Sequence, residues 1–408
     1  MTAVVDFGIR EQAAQRFEQL GWPTPRLEEW KYTNLGPVQR AEWKRASGAP
    51  ASAGLPPLPA EAGAPLHGAA AEYVFINGIY APERSTPNAS ITLDEALKNH
   101  HYARYADYEN HAMTALNTAN AQDAAMLHIG AGFEGFVHIH FIATDGYASH
   151  PRNLIVVDRG AQATIVESYS GDGRTFTNAV TEIVAADGAV VDHTKLECES
   201  HDGYHVGLTH IHQERASSVT SRNISIGGAL VRNETNAALT GEGASLVLDG
   251  LFVLTGTQHV DNHTVIDHVK PHCESLELYK GILDQNARGI FDGTIIVREG
   301  AQKTVSRQTN KNLLLSENAI VDSKPTLVIH NDDVKCNHGS TIGQLDEESM
   351  FYLRSRGLGE DEARSMLVYA FASELVDRIK VDAAREQIRR AMFATLPDRL
   401  PERRGESR

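Results

Sequence analysis

The sequence predicts a mainly β protein built on a β-solenoid, and three observations carry this prediction. Strand-like runs punctuated by Gly and Asp fill residues 135–340. A short pattern recurs in this region at nearly constant spacing, as in stacked supersecondary units. Helical periodicity is almost absent there and returns in the flanking segments. A β-sandwich with accidental spacing is the less favoured alternative.

The repeat is a turn-like residue pair that is followed by an apolar, strand-like segment. Its copies are Gly160-Ala161, Gly188-Ala189, Arg215-Ala216, Gly243-Ala244, His272-Cys273 and Gly300-Ala301. Each copy follows the previous one after a nearly constant step, which indicates one structural unit per copy. The second residue of each pair is small, which predicts a tight inward position where each rung of the solenoid begins.

Changes of composition and periodicity divide the chain into five regions. The first contains a helical pattern from Phe7 to Leu20, and the third contains a strand-like run from Tyr73 to Asn77. The regions are an N-terminal helical region at 1–45, an Ala/Pro/Gly-rich linker at 46–72, a mixed α/β segment at 73–134, the β-helix core at 135–345 and a C-terminal helical domain at 346–408.

Three helices are predicted in the C-terminal domain. The first is capped by Asp346 and ends at Gly357, the second opens with acidic residues at Glu360, and the third spans about Asp382 to Thr395. One apolar stripe runs along the second helix through Ala363, Leu367, Phe371, Leu375 and Ile379. We expect these helices to cap the open end of the solenoid, where strand edges are unpaired, or to present a surface to another protein.

Composition excludes several function classes. The net charge is −15 and no basic stripe is present, so nucleic acid is a poor partner. The basic tail Arg399–Arg408 is interpreted as a solvated end. No apolar run is long enough for a membrane span, and charged residues interrupt the first twenty positions. The three cysteines are far apart, so a reducing compartment, the cytoplasm, is expected.

Catalysis by this chain alone is not expected. The sequence has no Gly-x4-Gly-Lys-Ser/Thr loop to hold phosphates and no Gly-x-Ser-x-Gly elbow. All three tryptophans precede residue 44, outside the solenoid, so aromatic platforms for a sugar are missing. The sequence therefore argues against nucleotide hydrolysis, serine-hydrolase chemistry and glycoside chemistry by this chain.

A histidine-rich stretch keeps one enzymatic alternative open. His259, His263, His268, His272 and Cys273 lie close together in the sequence, and imidazole and thiolate bind Zn or Fe. A self-sufficient metalloenzyme would use His259, His263, His268 and Cys273. However, the spacings do not place all the histidines on one face of a strand. Surface and turn histidines of a solenoid rung are the favoured interpretation.

A sharper candidate site lies within Asp332–Ser340. Cys336 and His338 are two residues apart, so on a strand their side chains share a face. Both bind iron when deprotonated, but a stable cluster generally takes four ligands. The pair predicts either a metal site that another chain completes or a buried cysteine beside a hydrogen-bonded histidine.

Further motifs accompany this pair along the chain. They are Glu29-Trp30-Lys31-Tyr32-Thr33-Asn34-Leu35, the Gly-Ile-Phe-Asp-Gly run at 289–293, the Ala-Gln-Lys-Thr run at 301–304, the run from Gln308 to Ser316, Lys324-Pro325, the run from Asp332 to Gly339 and the helical run from Phe351 to Gly357. Together they resemble the SufB/SufD family of iron–sulfur cluster assembly proteins, and within it the SufD branch.

The resemblance implies a right-handed parallel β-helix and a non-catalytic scaffold role. It implies a heterodimer with a SufB-type paralogue and a SufC-type ABC ATPase, which binds the ATP, docked on the C-terminal helices. A transient iron–sulfur cluster would be shared across the heterodimer at His338, with Cys336 beside it. The expected docking residues are Phe351, Tyr352, Arg354, Leu367, Phe371 and Leu375. A homodimer of the isolated chain and a sulfur donor reaching the complex are compatible with the resemblance, and flavin stays undecided.

Overall fold

A computed structural model describes residues 3–47, 66–86 and 101–396, with side chains from residue 8 onwards. Most of the predicted linker and the basic tail lie outside these residues. Consecutive long strands of the core alternate between two sheets, so each sheet is a stack of parallel strands from successive turns of the chain. The described residues therefore form a β-solenoid flanked by helices, which confirms the predicted fold class.

The first sheet has ten strands, which are parallel apart from the β1–β2 pair. In chain order they are β1 (Ala71–Ile76), β2 (Ile79–Tyr80), β4 (Val137–Ala143), β7 (Gln162–Gly171), β9 (Val190–Cys198), β11 (Ser218–Ser225), β13 (Ser245–Leu254), β15 (Glu274–Leu283), β17 (Val305–Leu314) and β19 (Lys335–Gly343).

The second sheet has nine strands, counting the short β5 (Ala148–Ser149), which pairs with β8 beside the main path. The others are β3 (Ala125–Ile129), β6 (Arg152–Val157), β8 (Phe176–Ala185), β10 (Tyr204–Gln213), β12 (Leu230–Leu239), β14 (His259–His268), β16 (Arg288–Val297) and β18 (Ile320–Ile329). Because β1 and β3 belong to these sheets, the stack begins before residue 135.

Most rungs of the first sheet begin with a residue at positive φ, followed by a small buried residue and then the strand. Four predicted copies of the repeat have this geometry: Gly160-Ala161, Gly188-Ala189, Gly243-Ala244 and His272-Cys273. The glycines there adopt φ of 68–72°, a region that costs glycine little because it has no Cβ.

The predicted repeat is wrong at its other two copies. Ala216 itself has φ 54° and is exposed, and Ser217 takes the buried place. Ala301 is buried, but the positive φ of 61° belongs to Lys303 and Thr304 precedes β17. Turns outside the sheets tolerate added residues, so the register step from β15 to β17 lengthens without disturbing the pairing of the strands.

The N-terminal helical region packs on the outer face of the second sheet. Its elements are α1 (Ala3–Leu20), the 3₁₀ turn Glu28–Trp30 and α2 (Gly36–Gln39), joined on the same face by α3 (Ala112–Asn120). The Trp30 ring stacks at 4.0 Å under the guanidinium of Arg232, which projects outward from β12. The first tryptophan-containing motif is therefore a structural contact with the solenoid.

The three C-terminal helices are α4 (Glu347–Ser355), α5 (Glu360–Val376) and α6 (Asp382–Thr395), as predicted. The Asp346 side chain accepts a hydrogen bond from the Ser349 N–H at 2.8 Å, which caps α4. Gly357 follows α4 with φ 96°. In the described part of the chain, no helix has the length and apolar character that crossing a bilayer requires.

The predicted capping of the solenoid end by these helices is wrong. Helices α5 and α6 lie against the outer face of the first sheet, where Leu196, Leu251 and Ile282 form an apolar strip. Burying each such side chain stabilises the fold by about 1.5–3 kcal/mol, which favours packing of the helices on this apolar strip. Ion pairs from Lys280 to Glu374 at 2.5 Å and from Arg378 to Asp249 at 3.0 Å fix α5 on this face.

Candidate functional site

The last rung of the solenoid, β18 and β19, forms an open end that no described residue covers with a further strand. Cys336 and His338 lie on β19, and Cys336 packs against the apolar interior. Alternation along a strand directs the His338 side chain inward as well, about 7 Å along the strand from Cys336. Cys336 is half-buried and His338 is exposed, because no later rung covers them.

The backbone of β19 has hydrogen-bonding groups beside these side chains that pair with no strand among the described residues. The Lys335 N–H donates to the carbonyl of Thr304, which fixes the alternation along the strand. Residues 335, 337, 339 and 341 therefore bond to β17, whereas 336, 338, 340 and 342 direct N–H and C=O away from it. An open edge of this kind is a template for pairing with another strand.

The edge of β18 is different, because a proline interrupts it. The Ile320 N–H donates to the carbonyl of Ala287, so Pro325 falls at a position directed away from β16. Proline has no N–H, and its place on an edge strand removes a donor from the open side. Of the two strands at the open end, β19 is thus the better template for an added strand.

A column of inward polar side chains continues from His338 into the solenoid. Gln308 lies opposite His338 in the sheet, and Glu277 lies opposite Gln308. The Gln308 Nε2 donates to the Glu277 carboxylate at 2.7 Å. Burial raises the pKa of Glu277 to about 7, so this carboxyl exchanges a proton near neutrality. The column therefore runs from an exposed imidazole at the open end to a buried acid two rungs inside.

Sequence reasoning missed Gln308 and Glu277. The signal that would have found them is the register of the rungs, which pairs Gln308 with His338 and Glu277 with Gln308. The step between paired residues is 31 from Glu277 to Gln308 and 30 from Gln308 to His338, whereas it is 28 between the paired strands β7, β9 and β11. A repeat of fixed length, counted back from His338, therefore does not reach these two positions.

Burial raises the pKa of the Cys336 thiol, although the backbone of Ser306 opposes the change. In the isolated chain the thiol form is therefore favoured at neutral pH. Binding of a metal to this sulfur would have to displace the proton.

The histidine-rich stretch does not assemble into a metal site. His259 and His263 lie on the outer face of β14, where the His259 Nε2 bonds to the Thr33 hydroxyl at 3.0 Å and the His263 Nε2 lies 2.9 Å from the Asp261 carboxylate. His268 points into the solenoid and bonds to the Ser275 hydroxyl at 2.9 Å. Among the described residues, no group of three metal-ligating side chains includes any of them or Cys273. The geometry therefore does not support the alternative metalloenzyme, because these residues do not come together as one set of metal ligands.

The predicted docking residues divide between an exposed and a buried set. Phe351 and Tyr352 on α4 are 73% and 55% exposed, and Arg354 is exposed beside them. Leu367 and Phe371 on α5 are half-buried. Leu375 is 1% exposed and packs against the solenoid, so it is not available to a partner in this conformation.

An interior charge network, formed by Lys195, Glu197, Glu199 and His205, lies deep in the solenoid and was not predicted. The Lys195 ammonium contacts the Glu197 carboxylate at 2.8 Å, and the His205 Nδ1 contacts Glu199 at 2.7 Å. Burial opposes ionisation of Glu197, but the charges of Lys195 and His205 outweigh it and lower its pKa to about 2. Thr177, Ser225 and Asn233 donate further hydrogen bonds to these carboxylates, so the network extends over neighbouring rungs.

Comparison with known proteins identifies the family. The family description "SUF system FeS cluster assembly, SufBD core domain" matches residues 140–371. A SufBD family protein of Synechocystis is 32% identical over 94% of this chain and 89% of its own length. The iron–sulfur cluster assembly protein SufD of Escherichia coli is 31% identical over 96% of this chain and 93% of its own. SufD of Bacillus subtilis is 26% identical over 69% and 66%. This chain therefore belongs to the SufB/SufD family of iron–sulfur cluster assembly proteins and is SufD-like.

Proposed function

We propose that this chain is a non-catalytic cytoplasmic scaffold subunit of a SUF-type assembly complex. In this role it pairs with a SufB-type paralogue through the open end and contributes His338, with Cys336 beside it, to a transient cluster. The observation that carries the proposal is that one edge strand has both backbone groups that pair with no described strand and a cysteine and a histidine, residue types that can bind iron.

The ligand count supports a site that two chains share. β19 offers one imidazole and one thiol, about half of the four ligands that a stable cluster takes. A partner strand placed along β19 would bring its own side chains next to Cys336 and His338. A centre completed in this way is easier to dismantle than one held by a single chain, which suits a cluster that is cargo.

The C-terminal helices support docking of a SufC-type ABC ATPase. Phe351, Tyr352 and Arg354 form an exposed aromatic and basic surface on α4, of the kind that interfaces favour. Leu367 and Phe371 are half-buried next to it in the chain, and Leu375 is removed from the predicted set because it is buried. ATP is bound by that partner, and movement of α4 would reach the end of the solenoid through residues 344–346.

The experiment tests His338 in the assembled complex. This chain, the SufB-type paralogue and the ATPase are co-purified, and iron and sulfide are supplied anaerobically. We expect His338→Ala to lower the cluster yield at least about tenfold, because ligand loss removes both affinity and geometry. The matched control is His330→Ala, which alters an exposed histidine in the turn after β18.

Two outcomes decide the proposal. Loss of cluster in His338→Ala with an intact complex, and normal yield in His330→Ala, supports it. Full cluster yield from the His338→Ala complex removes this residue from the mechanism.

A further inference from the structure

A second group of metal-ligating side chains lies at the opposite end of the first sheet from β19. Glu72 projects from β1, and His138 and His140 project from β4. One donor atom from each of these residues lies within 4.8 Å of the others. Within the described ranges this is the one group of three or more such residues that has this geometry.

These side chains lie on the outer face of the solenoid, not in its core. Val137, Ile139 and Phe141 alternate with the histidines and point into the apolar interior. Both histidines are nonetheless buried, and Glu72 is partly exposed. Ala81 and the turn Pro82–Arg84 lie next to this face, so the site is covered but has an exposed side at Glu72.

Two serines of β7 hold the imidazoles in matching orientations. The Nε2 atom of His138 bonds to Ser168 at 2.7 Å, and that of His140 bonds to Ser170 at 2.9 Å. The rings are stacked 5.3 Å apart with an interplanar angle of 17°. Because both Nε2 atoms face β7, both Nδ1 atoms face the side of β1. Anchoring one ring nitrogen while the other stays available is how proteins orient metal-binding histidines.

The two Nδ1 atoms differ in one respect. The Nδ1 of His138 contacts the Glu72 carboxylate at 2.9 Å. The Nδ1 of His140 is buried and has no hydrogen-bond partner among the described residues. A simple ion pair of His138 with Glu72 accounts for the first atom and leaves the second unexplained, although burying an unpaired polar atom costs free energy.

Burial, together with two neighbouring positive charges, favours the neutral form of His140. Burial, the charge of His138 and the charge of Arg84 all lower the pKa of His140 well below its ordinary value. Its Nδ1 therefore carries a free lone pair at neutral pH, the form that binds metals. Glu72 supplies the negative charge, whereas Arg84 adds positive charge beside the site and limits how strongly a cation is held.

We propose that Glu72, His138 and His140 bind one divalent transition metal ion of the Zn²⁺ or Fe²⁺ class. Two imidazoles and one carboxylate are a ligand set that such ions take, with the remaining position left to water. In a tetrahedral shell with bonds of about 2.1 Å, donor atoms lie about 3.4 Å apart, so small side-chain movements complete the site. The ion would satisfy the unpaired Nδ1 of His140. This inference is independent of the proposed scaffold function.

The test uses the isolated full-length chain, purified free of metal, and Zn²⁺ alone as the probe. Calorimetric titration is expected to give one ion per chain for the wild type. Glu72→Gln keeps the side-chain volume and removes the charge, and we expect its affinity to fall about tenfold or more. The Zn²⁺ affinity of His140→Gln is expected to fall by a similar factor. Thermal unfolding without metal checks that each variant is folded. If His140→Gln does not fold, the Zn²⁺ affinity of Glu72→Gln, whose side chain is partly exposed, tests the proposal alone.

A control variant separates this site from the open end. Cys336→Ser combined with His338→Ala removes the ligands on β19 and should still bind one Zn²⁺ with wild-type affinity. Co²⁺ substitution should give a spectrum without sulfur-to-cobalt charge transfer. Unchanged binding in Glu72→Gln, absence of binding in the wild type, or loss of binding in the β19 variant would each overturn the proposal.

Discussion

The enclosed rungs and the open end of the solenoid use the same inward positions in opposite ways. In the enclosed rungs, Lys195 and Glu197 point inward from β9 and pair with each other and with His205. On β19, Cys336 and His338 point inward from equivalent faces but have no described rung beyond them. These charged groups of the middle rungs are paired within the chain, whereas the His338 side chain at the open end is exposed.

Burial therefore decides the role of an inward polar residue in this fold. A buried charge is tolerated only when it is paired, since desolvation would otherwise dominate. An exposed inward residue is solvated, so it needs no partner within the chain and its side chain is free to bind a ligand. We therefore expect substitutions in the enclosed rungs to change stability and substitutions at the open end to change binding.

The largest expected effect is on the interior charge network. Lys195→Met leaves Glu197 and Glu199 in the interior without the ammonium group. We expect the free energy of unfolding, measured in urea, to fall by about 3–5 kcal/mol, as when one partner of a buried ion pair is removed.

The matched control for this substitution is Lys335→Met on β19. Lys335 is exposed, so the same change there should alter the free energy of unfolding by no more than about 0.5 kcal/mol. Equal losses at both positions would mean that the enclosed rungs and the open end tolerate the loss of a charge equally well.

A smaller effect on stability is expected at Glu277, which lies on β15 between the middle rungs and the open end. Its pKa is raised from 4.5 to about 7 in the folded state, so folding favours the protonated form. This contribution to stability is fully present below pH 4.5 and is lost as the pH rises through 7. Glu277→Gln should abolish this pH dependence. Its free energy of unfolding should exceed that of the wild type by about 3 kcal/mol at pH 8 and nearly equal it at pH 4.

Urea unfolding at several pH values between 4 and 8 measures this difference. Glu317→Gln, which alters an exposed carboxylate, should follow the wild-type curve throughout. If the Glu277→Gln and wild-type curves are parallel between pH 4.5 and 7, the buried carboxyl does not hold its proton in the folded state.

The sequence was sufficient for features that depend on local pattern. The recurrence of turn pairs predicted the solenoid, and the two-residue spacing of Cys336 and His338 predicted a shared strand face, which β19 has. Asp346 and Gly357 predicted both ends of α4 because caps are determined by their own side chains and dihedral angles.

Features that depend on long-range partners were not predictable in this way. The stripe through Leu367 and Phe371 indicated a helix face but not the outer sheet face that receives α5. Glu72 and His138 meet only because β1 pairs with β4, which comes much later in the chain. Unequal turns likewise hid the alignment of Glu277 and Gln308 with His338.

The smallest expected effect tests the open edge itself. Ser340→Pro removes an N–H that β19 directs away from β17, so the internal ladder is kept. We expect the thermal midpoint of the isolated chain to change little and the affinity for the SufB-type paralogue to fall about tenfold, since strand addition depends on main-chain hydrogen bonds. Ser323→Pro on β18 is the control, because Pro325 already interrupts that edge. Equal weakening by both substitutions would show that the partner does not distinguish β19 from β18, and full affinity in Ser340→Pro would show that no strand is added along β19.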